Sequence, residues 1–265
     1  MIRRRLDAEL VRRGLARSRE QAGELIEAGR VRVGGQTATK AATQVEAAAA
    51  VLVEQAEAGP DYVSRGGHKL AGALAAFEGL NPAGRRCLDA GASTGGFTDV
   101  LLRAGAAHVV AVDVGYGQIA WSLRTDERVT VVERLNIREM LPEHVGEPPS
   151  LVVGDLSFIS LKLVLAPIKG CVTAGADYAM MVKPQFEVGR ARVGTGGVVR
   201  DPELRAEAVR DVALYAGTIG LGIRGVTASP LPGPSGNVEY FLWLRAGAPP
   251  LDDADLARAI AEGPL

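Results

Sequence analysis

The sequence predicts an α/β protein, a doubly wound and mainly parallel sheet with one antiparallel strand, preceded by a small basic α+β head. Three observations predict it. Arg86-Cys87-Leu88-Asp89-Ala90-Gly91-Ala92-Ser93-Thr94-Gly95-Gly96-Phe97 runs from an apolar strand through a small-residue turn into an amphipathic helix. From there to about residue 216, apolar strand patterns alternate with helical ones, as βα units do. The last two strand patterns, 221–229 and 238–244, have no helix between them, so one antiparallel strand closes the sheet.

Composition agrees and removes several functions. A chain of 265 residues that is 47% hydrophobic but only 5% aromatic can bury a sizeable aliphatic core. The net charge of −1 hides an asymmetry: residues 1–40 hold ten Lys/Arg against five acids, so a +5 head sits on a −6 remainder. Such a head suits a polyanion. Cys87 and Cys171 lie in apolar contexts and read as buried thiols of a reducing compartment. His68, His108 and His144 are scattered without ligand spacing, so no metal is expected. The start, Met1-Ile2-Arg3-Arg4-Arg5, lacks the apolar run of a signal peptide, and Asp155 and Lys162 break the best apolar stretch. A cytoplasmic protein with no membrane partner is the expectation.

In the head, Leu6, Leu10 and Val11 have helical spacing. Ser18-Arg19-Glu20-Gln21 fits a capping box, and the helix 19–27 that follows places Ala22, Leu25 and Ile26 on one face before a C-cap at Gly29. Val31-Arg32-Val33-Gly34-Gly35-Gln36 reads as a hairpin, with further short strands at Val45 and 51–53. Arg12, Arg13, Arg17 and Arg19 surround the helix-turn-helix corner, where they can grip phosphates or simply form a solvated face. This stretch, roughly 3–53, resembles the S4 RNA-binding module through Leu6-Asp7, Arg12-Arg13-Gly14-Leu15, Ser18-Arg19 and Leu25-Ile26-Glu27-Ala28-Gly29-Arg30-Val31-Arg32-Val33-Gly34-Gly35. The resemblance implies a structured-RNA contact, with Arg3, Arg4, Arg5, Arg12, Arg13, Arg17 and Arg19 as candidate contacts and Arg65 beyond the head as another.

Gly59-Pro60-Asp61 marks a boundary. Tyr62-Val63-Ser64-Arg65-Gly66-Gly67-His68-Lys69-Leu70 then opens a helix through Leu74 and Phe77. Strands follow at 86–91, 108–113, 129–133, 150–155 and 177–183. A long helix at 201–216 has Leu204, Ala208, Val212 and Leu214 as its apolar set and Gly217 as its end. Doubly wound sheets bind ligands at the carboxyl ends of their strands. Here those ends carry the Gly91–Gly95 turn, Asp113, Asn136, Asp155 and Lys183. An acid ending the second strand suits ribose hydroxyls. Gly91-x-x-x-Gly95-Gly96 is not the dinucleotide fingerprint and no P-loop Lys-Ser/Thr follows, so S-adenosyl-L-methionine, which has no phosphate to cradle, fits better than NAD or a nucleoside triphosphate.

The body, about 60–245, resembles the FtsJ-type ribose 2′-O-methyltransferases, and with its head the whole chain resembles the TlyA (haemolysin A) family of rRNA methyltransferases. The matching stretches are Ser64-Arg65-Gly66-Gly67-His68-Lys69-Leu70, Asp89-Ala90-Gly91-Ala92-Ser93-Thr94-Gly95-Gly96-Phe97-Thr98, Asp113-Val114-Gly115-Tyr116-Gly117-Gln118, Asp155-Leu156-Ser157-Phe158-Ile159-Ser160-Leu161, Val182-Lys183-Pro184-Gln185-Phe186-Glu187 and Gly236-Asn237-Val238-Glu239-Tyr240. Leu135-Asn136-Ile137-Arg138 departs from the Thr-Asn-Ala-Arg expected there, leaving Asn136 in place but weakening the case for an adenine contact. The resemblance implies a seven-stranded Rossmann-like sheet, cytidine 2′-O-methylation in 16S or 23S rRNA, and a catalytic set of Lys69, Asp155, Lys183 and Glu239. It implies that Asp89, Gly91, Ser93, Thr94, Gly95, Gly96, Phe97, Asp113, Asn136 and Asp155 hold S-adenosyl-L-methionine.

In that chemistry the enzyme must align a ribose hydroxyl with the methyl and remove its proton. A lysine can do this only when neutral; nearby positive charge and desolvation favour that form, and nearby acids oppose it. Lys183 is the expected base, with Lys69 and Glu239 orienting the ribose and Asp155 steering the amine. Two ordinary salt bridges are the competing reading of the same four residues. The expected organisation is an S4-like domain over 1–58, a linker at 59–64, the methyltransferase domain over 65–248 and a helical tail over 249–265, monomeric in the absence of RNA. A non-catalytic ribosome-binding factor and a membrane-active haemolysin are the rival functions; the paired lysines and acids argue against the first, and the lack of a spanning or amphipathic segment against the second.

Overall fold

A computed structural model describes residues 3–16, 18–27, 29–46, 48–53, 61–233 and 235–264. It divides into two compact units, Met1–Asp61 and Tyr62–Leu265. The boundary residues Gly59 and Pro60, and the RNA-contact candidate Arg17, lie outside the described residues.

The first unit is an α+β module. Its elements are β1 (Arg3–Arg5), α1 (Leu6–Arg12), α2 (Arg19–Glu27), β2 (Val31–Val33), β3 (Gln36–Thr37), β4 (Gln44–Glu46) and β5 (Val51–Val53). β1 pairs antiparallel with β4, and β2 lies between β3 and β5. Leu6, Leu10, Ala22, Ile26, Val31 and Val45 form its core. The helix α2 starts where the cap predicts, with the Gln21 N–H donating to Ser18 Oγ at 3.1 Å. Gly29, beyond its end, has φ +68°, the left-handed turn that glycine adopts without strain.

In the second unit α3 (Gly66–Ala76) precedes the sheet strands β6 (Arg86–Ala90), β7 (His108–Val112), β8 (Val129–Val132), β9 (Leu151–Gly154), β10 (Asp177–Val182), β11 (Leu221–Ala228) and β12 (Tyr240–Ala246). Helices α4 (Gly96–Arg103), α5 (Trp121–Arg124), α6 (Pro142–Val145), α7 (Leu165–Lys169), α8 (Pro184–Glu187) and α9 (Pro202–Thr218) fall between strands, and α10 (Asp253–Ala261) follows the last. The seven strands lie in the order β11-β12-β10-β9-β6-β7-β8. Only β12 runs against its neighbours, inserted between β10 and β11. The doubly wound sheet with one antiparallel strand is therefore what the sequence pattern describes.

Alternating strand residues build two apolar layers. Leu88, Val110, Val152 and Tyr178 face one side with Val209, Val212 and Ala216 of α9. Cys87, Val109, Leu151 and Phe241 face the other with Leu70 of α3 and Phe97 and Leu101 of α4. At about 25 cal/mol per Å² of apolar area, these two layers dominate the stability of the unit.

Two expectations for α9 are corrected. Leu214 is 65% exposed, because it lies two residues, about 200° of helix rotation, from Val212 on the buried stripe. Gly217 lies within the helix, which runs on to Thr218; the left-handed residue that ends the turn is Gly220, at φ +79°.

Candidate active site

The sheet register assembles the site. Ala90 on β6 pairs with Gly154 on β9, so the Gly91 turn and Asp155 emerge side by side, with the Asp155 N–H donating to the Ala90 carbonyl at 3.2 Å. Val182 on β10 pairs with Tyr240 on β12, so Lys183 and Glu239 leave adjacent antiparallel strands at the same edge. Lys69 comes from α3, far away in sequence. Its Nζ donates to Glu239 Oε2 at 2.6 Å, with both side chains buried. The Lys183 Nζ lies 2.6 Å from Asp155 Oδ1 and donates to Ser157 Oγ at 2.9 Å. The four residues thus form two lysine–acid pairs. Lys69, Lys183 and Glu239 are 6%, 8% and 0% exposed, so these are not the solvated surface bridges of the competing reading. Glu239 Oε1 is buried with no hydrogen-bond partner.

Two cavities meet at this edge. The smaller, about 370 Å³, is lined by Gly91, Ser93, Asp113, Gln118, Asn136 and Asp155 among others. The larger, about 1070 Å³, reaches Lys183, Glu239, Gln185, Arg138, Arg190 and Ser235. Asn136, Ser157, Phe158 and Ile159 line both and so form the wall between them. Phe158 is 91% exposed, has φ +63°, and packs its ring 5.2 Å from that of Phe186. A left-handed bulky residue costs on the order of 1–3 kcal/mol, and such strain persists only where its surroundings hold it.

The residues expected to hold a cofactor divide into two groups. Asp113 anchors the turn: its Oδ2 accepts the Ser93 N–H at 2.8 Å and its Oδ1 the Gly115 N–H at 2.6 Å. Asn136 Oδ1 accepts the Arg138 N–H at 3.1 Å. Gly91, Ser93, Asp113, Asn136 and Asp155 all line the smaller cavity. Thr94, Gly95, Gly96 and Phe97 do not. A Cβ on Gly95 would meet Leu123 Cδ1 at 2.2 Å, and one on Gly96 would meet Ser64 Oγ at 2.3 Å, so these glycines serve close packing onto α5 and the α3 entry. Phe97 is a core residue stacked 6.0 Å from Phe241. The Thr94 carbonyl accepts the Ala120 N–H at 3.1 Å, tying the turn to the segment before α5.

Asp89 is wholly buried inside β6. Its Oδ2 accepts a hydrogen bond from Thr98 Oγ1 at 2.7 Å, whereas Oδ1 has no partner. Burial is the main reason its carboxyl is pushed up to about 7; the charges of Asp155 and Asp113 add to it.

The head presents its arginines in an organised way. Buried Asp7 receives Arg5 at 3.0 Å and Arg19 at 2.8 Å. Glu9, wholly buried, receives Arg12 at 2.6 Å and Arg13 at 2.8 Å. Arg3 pairs with Glu46 at 3.3 Å, and Arg4 is exposed. Arg65 donates to the Pro232 carbonyl at 3.4 Å in the loop that precedes Glu239. Phe158, Gln185 and Glu187 stand in the matching stretches of the sequence but carry no expected site role, since no spacing or periodicity sets them apart.

Among the described residues, no helix is long and apolar enough to cross a membrane, and no group of three or more His, Cys, Asp or Glu side chains could hold a metal ion.

Comparison with known proteins agrees with this geometry. The chain matches the FtsJ-like methyltransferase family over residues 62–246 and the S4 domain over residues 4–51. It is 61% identical to the 16S/23S rRNA (cytidine-2′-O)-methyltransferase TlyA of Mycobacterium tuberculosis, over 99% of each chain. A protein of Streptococcus thermophilus, provisionally described as a hemolysin, superposes with a TM-score of 0.79 at 36% identity, covering 99% of this chain and 96% of that one. A similarly described protein of Lactococcus lactis gives 0.72 at 41% identity, covering 76% and 97%. With the methyltransferase sheet, the paired lysines and acids at its edge and the small basic module before it, the chain belongs to the FtsJ-like methyltransferase family and carries an S4 domain ahead of its catalytic fold.

Proposed function

We propose that this protein transfers a methyl group from S-adenosylmethionine to the ribose 2′-hydroxyl of cytidine in ribosomal RNA, and that its head docks on that RNA. The observation that carries the reading is the pair of buried lysine–acid contacts at the junction of two cavities. Its 61% identity to an enzyme named for cytidine 2′-O-methylation of 16S and 23S rRNA supports the choice of substrate.

The smaller cavity suits S-adenosylmethionine. Its volume of about 370 Å³ falls in the roughly 300–1,000 Å³ range of small-molecule sites. The backbone at Gly91 has φ +87° and leaves no room for a Cβ, which would meet the Asp155 carbonyl at 2.8 Å; this keeps the turn tight beside the cavity. Asp113 offers a carboxylate for ribose hydroxyls, and the acids Asp113 and Asp155 in the lining suit a cationic ligand with no phosphate. When bound, S-adenosylmethionine supplies a methyl group on a positively charged sulfur.

The chain's own residues supply the rest. Lys183, aimed by Asp155 and Ser157, takes the hydroxyl proton. Glu239, fixed by Lys69 and with one oxygen unpartnered, accepts a hydrogen bond from the ribose and holds it in line. Phe158 offers an aromatic face on which an unstacked base can rest, and Arg138 and Arg190 supply positive charge at the larger cavity for the flanking phosphates. Arg5, Arg12, Arg13 and Arg19 of the head, held by the buried acids Asp7 and Glu9, present a fixed basic surface to RNA. The reaction is expected in the cytoplasm, where ribosomes are.

The direct test maps ribose methylation in 16S and 23S rRNA incubated with S-adenosylmethionine and the protein. New 2′-O-methylcytidine supports the reading; its absence from naked RNA, subunits and whole ribosomes alike refutes it.

A further inference from the structure

Glu187, at the end of α8, is 8% exposed and lines neither the cofactor cavity nor any ion pair with the catalytic set. Its Oε2 accepts a hydrogen bond from Ser160 Oγ at 2.5 Å, and its Oε1 accepts one from the Leu161 N–H at 2.8 Å. A carboxylate this buried is costly unless both oxygens are satisfied. Here both are, and both donors come from one segment, the turn that follows β9.

That segment begins with Asp155, carries Ser157 and the strained Phe158, and ends at Ser160 and Leu161. The segment opposite begins with Lys183 and ends with Glu187. They touch at the Lys183 contacts with Asp155 and Ser157, at the Phe158–Phe186 ring contact, and at Glu187. The first of these is the chemistry and the second is exposed. A left-handed phenylalanine with its ring in solvent has no intrinsic reason to stay put. Of the three contacts, only the Glu187 hydrogen bonds, one buried and one half-buried, are both shielded from solvent and remote from the reacting groups.

We propose that Glu187 is a positioning residue for methyl transfer: it clamps the segment 155–161 onto α8, and so keeps Ser157 within reach of the Lys183 amine and holds the wall between the two cavities. The proposal rests on the reading of Lys183 as the proton acceptor. Glu187 itself touches no substrate. Its effect passes through Ser157, so the two residues act as one unit in the chemical step.

The test is a double-mutant cycle in the full-length enzyme, with Glu187→Gln, Ser157→Ala and the two combined, measured as single-turnover methyl transfer to rRNA alongside thermal unfolding. Losing one hydrogen bond to a charged group corresponds to about tenfold, so each single variant is expected to slow the chemical step about tenfold. The double variant is expected to be slowed about tenfold as well, with unfolding temperatures that do not track the rates. A Glu187→Gln rate within twofold of wild type, or losses that multiply to about a hundredfold, would overturn the proposal. Should Glu187→Gln fail to fold, Ser160→Ala removes one of the two clamp bonds and takes its place in the cycle under the same criteria. Failure of the underlying reading shows separately, as transfer that survives in Lys183→Ala.

Discussion

Asp155 Oδ1 and Lys183 Nζ lie 2.6 Å apart where β9 and β10, neighbouring parallel strands, deliver their last residues to the same edge of the sheet. Ser157 Oγ lies 2.9 Å away on the same amine. The Ser157 hydrogen bond and the Asp155 ion pair together fix where the Nζ sits, as its proposed role of proton acceptor requires.

Replacing Lys183 therefore separates chemistry from binding. Lys183→Ala is expected to lower methyl transfer on the order of 10²–10⁴-fold, while S-adenosylmethionine titrated by calorimetry binds within a few-fold of wild type. Lys183→Arg is expected to be no better, since guanidinium does not give up its proton. Transfer by either variant near the wild-type rate removes the assignment.

The Lys69–Glu239 pair makes a prediction about stability as well as rate. Both side chains are buried at 2.6 Å separation, so Glu239→Leu strands an ammonium in the interior and is expected to cost about 3–5 kcal/mol in urea unfolding. The double variant Lys69→Met/Glu239→Leu removes both charges and is expected to recover most of that loss yet stay inactive. If its activity recovers with its stability, the pair is structural and nothing more.

In the head, the sign of the pH dependence follows from Asp7 and Glu9. The Arg5 and Arg19 guanidiniums hold Asp7 well below the usual carboxylate range, and Arg12 and Arg13 hold Glu9 down at about 2. Carboxyls depressed on folding stabilise the folded state above their unfolded values, about 3.9 and 4.3, and that stabilisation is lost as pH falls towards 2. Hydrogen exchange over residues 3–53, corrected for intrinsic rates, is expected to show protection falling through this window. In Glu9→Gln protection should already be lower at pH 6, with a shallower further fall.

Exposed Arg3 and Arg4 test the RNA contact without disturbing those buried acids. Arg3→Ala and Arg4→Ala are each expected to weaken rRNA binding and to reduce the salt slope by about one. Unchanged slopes would move the phosphate contacts elsewhere on the head.

Much of this was legible in the chain because strand ends carry chemistry in a doubly wound sheet. Apolar runs closing on Asp113, Asp155 and Lys183 announced both the topology and the edge at which the two cavities open. The pairing partners were not legible. That Lys69 meets Glu239, and Lys183 meets Asp155, depends on the register of β12 against β10 and on where α3 packs. The close packing at Gly95 and Gly96 was not legible either, because it is set by Leu123 and Ser64, residues distant in sequence. A role for Phe158 at the cavity wall was not legible, because a single apolar residue in a turn gives no periodicity. Leu214 shows the converse error, an apolar residue near a stripe but on the wrong side of the helix.

Asp89, on β6 just before the glycine turn, carries the last prediction. Its carboxyl, pushed up to about 7 by burial, is raised relative to an unfolded value of about 3.9. The sign is opposite to that in the head: the folded state is favoured while Asp89 is protonated, and stability falls as pH rises from about 3.9 to about 7. Asp89→Asn is expected to flatten that fall. A bound sulfonium and ammonium favour the ionised form, so binding S-adenosylmethionine near pH 6 is expected to expel on the order of one proton from wild type. Calorimetry in two buffers of different ionisation heat measures that proton directly. Asp89→Asn should release less, and equal release by both proteins would show that the acid does not sense the cofactor.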